Sequence, residues 1–187
     1  MTPIHNNLGV ALAIKGEISE AIKSYSMALQ LSPAFAEAHY NLGVALADEG
    51  KVVEAVNHYS KALDIKPEFA RAHYEMGDAL LKKGEMDKAI KHFLKALNLN
   101  IKPDSSNMYN NLGLALGKQG KLNDAIVYFY EALKIDPDYA EVHYNLGVAF
   151  SMQNKLKKAI AHYYEAIKIN PNFEKARHNL QAVQNQN

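Results

Sequence analysis

The side chains best able to do chemistry in this 187-residue sequence are its eight histidines. His5, His39, His73 and His143 fall in one column of a recurring pattern, and His58, His92 and His162 fall in another. Imidazoles ligate metals, but ligation brings the donors to about 2 Å from one ion. Equivalent residues on neighbouring packed helices stand roughly 8 to 10 Å apart. The columns are therefore expected to pack rather than to ligate, and no His-Glu-x-x-His run is present. Gly113-Leu114-Ala115-Leu116-Gly117-Lys118 looks like a phosphate loop only superficially: it is one spacer short, lacks a Ser or Thr after the lysine, and follows no strand. The carboxylate pairs Asp48/Glu49 and Asp136/Asp138 fall at expected helix ends, where solvated charge is normal. The absence of cysteine removes any thiolate nucleophile, Cys-based zinc site or disulfide. No catalytic residue, metal site or cofactor is expected, and the chain is not expected to be an enzyme.

The elements that carry these residues repeat. Leu8-Gly9, Leu42-Gly43, Met76-Gly77, Leu112-Gly113 and Leu146-Gly147 mark five units, and Pro33, Pro67, Pro103, Pro137 and Pro171 follow them. Within each unit a small residue, an aromatic and a second small residue recur, as in Ala55/Tyr59/Ala62 and Ala125/Phe129/Ala132. In the second unit Ala38, Leu42, Ala45 and Leu46 form one apolar stripe, and Val52, Ala55, Val56, Tyr59, Ala62 and Leu63 form another. Steps of three and four predict two helices per unit, and the period-two alternation of strands is missing. Gly16, Gly50, Gly84, Gly120 and Asn154 stand between the stripes and are of the types that adopt the left-handed conformation closing a helix. The prolines end the second helix of each unit. A glycine inside a helix costs about 1 kcal/mol against alanine. Its recurrence at Gly9, Gly43, Gly77, Gly113 and Gly147 predicts a close approach by the backbone of the partner helix, opposite the small alanines.

This pattern of a large residue, Leu-Gly, then Ala, an aromatic, Ala and Pro resembles the tetratricopeptide repeat, over nearly the whole chain. Histidine or tyrosine replaces the usual tryptophan at His5, His39, His73, Tyr109 and His143. The resemblance implies an all-α fold, a right-handed α-solenoid of five helix-turn-helix repeats in a single domain spanning residues 1–187. The repeats are expected at about 2–35, 36–69, 70–105, 106–139 and 140–171, with a capping helix at 172–184. Phe173, Ala176, Leu180 and Val183 continue an apolar stripe into that last helix, while Gln181 and Gln184 stand where a following helix would require small and apolar residues. At the other end Ile4, Ala11 and Ile14 keep interior character with no repeat before them, which predicts either a truncation scar or a surface for self-association. The junction from Asn98 to Ser106 is two residues longer than the others, an insertion that a loop absorbs at little cost.

The resemblance further implies a concave surface lined by the first helices, on which the residue before each Leu-Gly pair projects. These residues are Asn7, Asn41, Glu75, Asn111, Asn145 and, in the cap, Asn179. A carboxamide both donates and accepts, so it can pair with an extended peptide whatever the peptide's side chains. The series is similar to the asparagine-lined groove in the repeat region of O-linked N-acetylglucosamine transferases. Tyr40, Tyr74 and Tyr144 precede the series, and Val10, Val44, Leu114 and Val148 follow it by three, giving the apolar body and fixed polar points of a peptide groove. In the third unit Arg71, Glu75, Asp78 and Lys82 replace the neutral lining at spacings that predict intrahelical ion pairs, with a charged specificity pocket as the alternative. The lysine, arginine and asparagine pattern by which another tetratricopeptide subfamily holds chaperone tails is not met, because Asn6, Val10 and Glu75 occupy its positions.

A protein or peptide partner is thus expected, in a scaffold or interaction module; the alternative is the recognition arm of a larger enzyme such as a glycosyltransferase. Lys and Arg number 21 against 20 Asp and Glu, a formal charge of +1, so no field attracts nucleic acid or an anionic membrane. No signal-like N-terminus or run of 18 apolar residues appears, so neither secretion nor membrane insertion is expected and a cytoplasmic location is.

Overall fold

The computed structural model describes residues 2–99 and 105–185. The described residues form eleven helices: α1 (Thr2–Ile14), α2 (Ile18–Leu31), α3 (Ala36–Asp48), α4 (Val52–Ile65), α5 (Ala70–Lys82), α6 (Met86–Asn98), α7 (Ser105–Lys118), α8 (Leu122–Ile135), α9 (Ala140–Met152), α10 (Leu156–Ile169) and α11 (Glu174–Gln184). They belong to two compact units, Met1–Ile101 and Lys102–Asn187. The first unit holds three antiparallel hairpins, α1/α2, α3/α4 and α5/α6; the second holds α7/α8, α9/α10 and the single helix α11. Most of the long junction, residues 100–104, lies outside the described residues, as does Pro103.

The helices are short because each turn is written into the chain. Gly16, Gly50, Gly84 and Gly120 have φ between 76° and 81°, and Asn154 has φ 57°. The left-handed residue lets the next amide reach back over the helix end, as Lys51 N–H does to Leu46 O (2.9 Å) and Lys155 N–H to Phe150 O (2.9 Å). Carbonyls that would otherwise be orphaned are satisfied, and the second helix leaves antiparallel to the first.

Inside each hairpin the core is narrow. Ala55, Tyr59 and Ala62 are fully buried, as are Ala89, Phe93 and Ala96. The glycine of the first helix is required by the aromatic ring of the second, not by a helix backbone facing alanines as the sequence suggested. A Cβ added at Gly43 would lie 2.6 Å from Tyr59 Cε1, and one at Gly113 would lie 2.6 Å from Phe129 Cε1. Carbons of the ring occupy the space that a methyl group would fill.

Successive hairpins are joined by burial and by repeated polar ties. Ser19 Oγ donates to Glu49 Oε1 at 3.1 Å, and Gln153 Nε2 donates to Asn123 Oδ1 at 2.8 Å in the same register of the second unit. In α11 Ala176, Leu180 and Val183 are buried while Gln181 and Gln184 are exposed, as expected of a solvated cap. In α1 the interior-type residues lie open, Ile4 at 67% and Ile14 at 82% exposure. The residues of α3 in the same register as Ile4 and Leu8, namely Ala38 and Leu42, are buried beneath the preceding hairpin.

Candidate peptide-binding surface

The first helices position the candidate residues. Asn7 is exposed on α1, and Asn41, Glu75, Asn111, Asn145 and Asn179 are half-buried at the matching places of α3, α5, α7, α9 and α11. Asn41, Asn145 and Asn179 among them bond within the protein. Asn41 Nδ2 donates to Asn6 Oδ1 at 2.9 Å, Asn145 Nδ2 to Asn110 Oδ1 at 2.8 Å, and Asn179 Nδ2 to the Tyr144 hydroxyl at 3.3 Å. Each bond reaches back 35 residues to the preceding first helix, so these three asparagines tie one hairpin to the next. Asn6 and Asn110, both buried, were not singled out from sequence. The signal was present in two adjacent asparagines, Asn6-Asn7 and Asn110-Asn111.

The tyrosines beside the series pack on their own hairpins. Tyr40 lies 4.9 Å from Phe69 and 6.3 Å from Tyr59 between ring centroids, Tyr74 lies 6.1 Å from Phe93, and Tyr144 lies 5.0 Å from Phe173 and 6.0 Å from Tyr163. Burial, reinforced by the Glu75 carboxylate, pushes the Tyr40 phenol up to about 12. The Tyr40 hydroxyl is therefore neutral at physiological pH.

The remaining candidates gather in a recess within each unit. In the first, Val44, Glu75 and Asp78 line a recess of about 70 Å³ with Asp48, Lys82 and the buried Tyr59. Asp78 Oδ2 pairs with Lys82 Nζ at 2.7 Å one helical turn away, which bears out the expected intrahelical pair. The Tyr59 hydroxyl is buried here without a hydrogen-bond partner. Asp48, Glu75 and Asp78 thus bring three carboxylates to the lining of this recess, with Lys82 beside them. In the second unit, Leu114, Asn145 and Val148 line an apolar recess of about 300 Å³ with Leu122, Phe129 and Met152. Met152 is exposed, and sequence reasoning passed over it. Val10 and Arg71 are exposed on α1 and α5 and line neither recess.

The histidine columns meet within hairpins. His39 Nδ1 lies 3.0 Å from His58 Nδ1, His73 Nδ1 lies 2.9 Å from His92 Nδ1, and His143 Nδ1 lies 3.2 Å from His162 Nδ1. The other nitrogen of each first-helix ring lies 3.0 or 3.1 Å from the carbonyl of Pro33, Pro67 or Pro137. A carbonyl only accepts, so that nitrogen carries the proton, Nδ1 of the same ring accepts, and the second-helix Nδ1–H donates. Desolvation pulls His58, His92 and His162 each down to about 4, which keeps these three rings neutral near pH 7. Among the described residues no group of three or more His, Cys, Asp or Glu side chains could hold a metal ion. The recurring 19-residue separation was visible in the sequence, but the two columns were read one at a time.

Stacked antiparallel hairpins with a glycine under each aromatic ring, and binding candidates on the first helices, define a helical-hairpin repeat protein of the kind that presents surfaces to other chains. The family models agree: the TPR repeat model matches residues 9–50 and 45–84, and the tetratricopeptide repeat model matches 68–138 and 104–172. The chain belongs to the tetratricopeptide repeat family. Among solved structures it is similar to YrrB, described as a TPR protein with an unusual peptide-binding site, at 28% identity and TM-score 0.83 over 93% of this chain and 89% of that one. It is also similar in fold to MamA from Desulfovibrio magneticus RS-1, at 23% identity and TM-score 0.83 over 92% and 96% of the two chains. Pseudomonas aeruginosa pilF matches at 22% identity and TM-score 0.77 over 99% and 89%. No curated protein matches the sequence. Among the described residues, no helix is long and apolar enough to cross a membrane.

Proposed function

We propose that the chain is a protein-interaction module that holds extended peptide segments against its first helices. The recess of the first unit receives a basic side chain, and that of the second receives an apolar one. The observation that carries this reading is the contrast between the two recesses: Asp48, Glu75 and Asp78 with a single Lys82 in one, and Leu114, Val148 and Met152 beside the Asn145 carboxamide in the other. An ammonium or guanidinium placed between the carboxylates would have the Tyr59 oxygen as a further acceptor, and charge-assisted bonds are the stronger kind. The peptide-binding site of YrrB, a chain of the same repeat family, supports the class of ligand. Affinity should be modest, because ordering a flexible peptide offsets much of the contact energy.

Selection from a random peptide library tests this. Selected peptides should carry Lys or Arg and a large aliphatic residue, and E75Q/D78N should weaken them by about tenfold, the worth of one charge-assisted bond. A library yielding no binders, or binders indifferent both to E75Q/D78N and to Val148→Asp, would exclude the surface.

A second reading has its own observation. The uncovered α1 face, with Ile4 and Ile14 largely exposed, suits self-association, and helix α1 contains no Asp, Glu, Lys or Arg that pairing would bury.

A further inference from the structure

On the second-helix side of the first unit, a cleft of about 730 Å³ opens between α2 and α4, lined among others by Ser26, Leu29, His39, His58, Lys61 and Ile65. It lies apart from both recesses described above and shares no residue with them. The second unit shows what fits such a place. There Tyr130 on α8 reaches across to His162 on α10, its hydroxyl 3.2 Å from Nε2 and its ring edge-on at 5.9 Å between centroids. His162 Nδ1 already donates to His143, so Nε2 is the accepting nitrogen and the phenol donates to it. Ser26 and His58 stand in the same relation, 32 residues apart on successive second helices, as Tyr130 and His162 do. The serine hydroxyl donates instead to Ile22 O at 2.8 Å. His58 Nδ1–H is likewise committed to His39, which leaves Nε2 an acceptor with no protein donor among the described residues.

We infer that the α2/α4 cleft binds a tyrosine side chain of a partner polypeptide, its ring between Leu29 and Ile65 and its hydroxyl donating to His58 Nε2. The internal template sets both requirements: a flat ring to fill the space that Ser26 leaves, and a donor at its tip. A carboxylate cannot donate, and phenylalanine fills the space but leaves the nitrogen unpaired. Low proton affinity at His58 keeps the acceptor available at neutral pH.

The experiment is an NMR titration of the full chain at pH 7 with N-acetyl-tyrosine amide and N-acetyl-phenylalanine amide, following the His58 ring and the Leu29 and Ile65 methyls. A saturable shift with a millimolar dissociation constant is expected for tyrosine, since a single ring contributes few contacts. The phenylalanine amide should bind about fivefold more weakly, the worth of one hydrogen bond. Ser26→Tyr, which places a phenol in the cleft from within, should abolish the response, and Ser26→Ala should retain it. No saturable shift, equal response to the two amides, or an undiminished response in a folded Ser26→Tyr protein would overturn the inference. Contacts between ligand ring protons and the Leu29 or Ile65 methyls provide a check that needs no variant, and their absence at saturation would overturn it equally. The peptide reading of the first-helix surface stands or falls separately, because E75Q/D78N should leave this titration unchanged.

Discussion

Asn41 Nδ2 donates a hydrogen bond to the side-chain oxygen Oδ1 of Asn6 on the preceding first helix at 2.9 Å, and Asn145 Nδ2 repeats the bond to Asn110 Oδ1 at 2.8 Å. The residue that lines the proposed ligand surface is thus also a tie between hairpins. Removing it does two things at once, and a loss of peptide binding in an asparagine-to-alanine variant has to be separated from a loss of stability.

Asn41→Ala should lower the unfolding free energy by about 1–3 kcal/mol, because the Asn6 carboxamide, only 7% exposed, would lose its partner. Asn7→Ala, at an exposed place on α1, should change stability by no more than about 0.5 kcal/mol. Urea denaturation of the two variants makes the comparison. Equal effects would mean that the Asn41–Asn6 bond contributes nothing to holding the hairpins together.

Gly43→Ala gives a prediction whose sign opposes helix propensity. Alanine would be favoured in an open helix by about 1 kcal/mol, but here its Cβ meets the Tyr59 ring at 2.6 Å. Overpacking of this kind costs typically about 1–3 kcal/mol, so the variant should be destabilised. Tyr59→Leu, which removes the ring, should make the second change far less costly. A double-mutant cycle with a coupling near zero would rule out the ring as the reason for the glycine.

The elements were legible because each repeat carries its own start, turn and stop. Gly50 and Pro67 bound α4 as firmly in sequence as in structure, and the polarity of Gln181 and Gln184 matches their exposure on α11. What remained hidden was the partner of each side chain across helices. Periodicity places Gly43 on an inward face but does not say whether a backbone or the Tyr59 ring lies opposite. It likewise puts His39 and His58 in separate columns, though their 19-residue offset is the distance from one helix to its antiparallel mate. Adjacent asparagines such as Asn6-Asn7 point to different neighbours on a helix, and only packing shows which is buried. The Ser26 cleft has the same origin: it is defined by the contrast with Tyr130, two residues that differ in a column where either type is acceptable to the fold.

The histidine pairs predict an acid-side loss of stability. His58, His92 and His162 are held near 4 by burial, against 6.5 when solvated. Between those values the unfolded chain binds protons that the folded chain does not, so stability rises with pH there. The contribution is fully present above about pH 6.5 and is lost as pH falls toward 4. Lys61 opposes protonation of His39 and His58 alike. Thermal midpoints should be level from pH 7 to 8 and fall steadily below 6.5, with a shallower fall in His58→Gln. A midpoint unchanged down to pH 4.5 would show that these rings titrate as solvated histidines.

The exposed face of α1 makes the final prediction. Ile4 and Ile14 lie 67% and 82% exposed, so they contribute little to the fold, and replacing both with lysine should change stability by no more than about 0.5 kcal/mol. If two copies meet through this face, each isoleucine buried there contributes roughly 1.5–3 kcal/mol to association, and opposed lysines would remove that and add repulsion. Light scattering at rising protein concentration should then show the mass of the native chain climbing toward a dimer while I4K/I14K stays monomeric. A native chain that remains monomeric throughout the range would leave α1 an open edge with no affinity for its own copy. Equal association of native and variant chains would move the contact elsewhere on the surface.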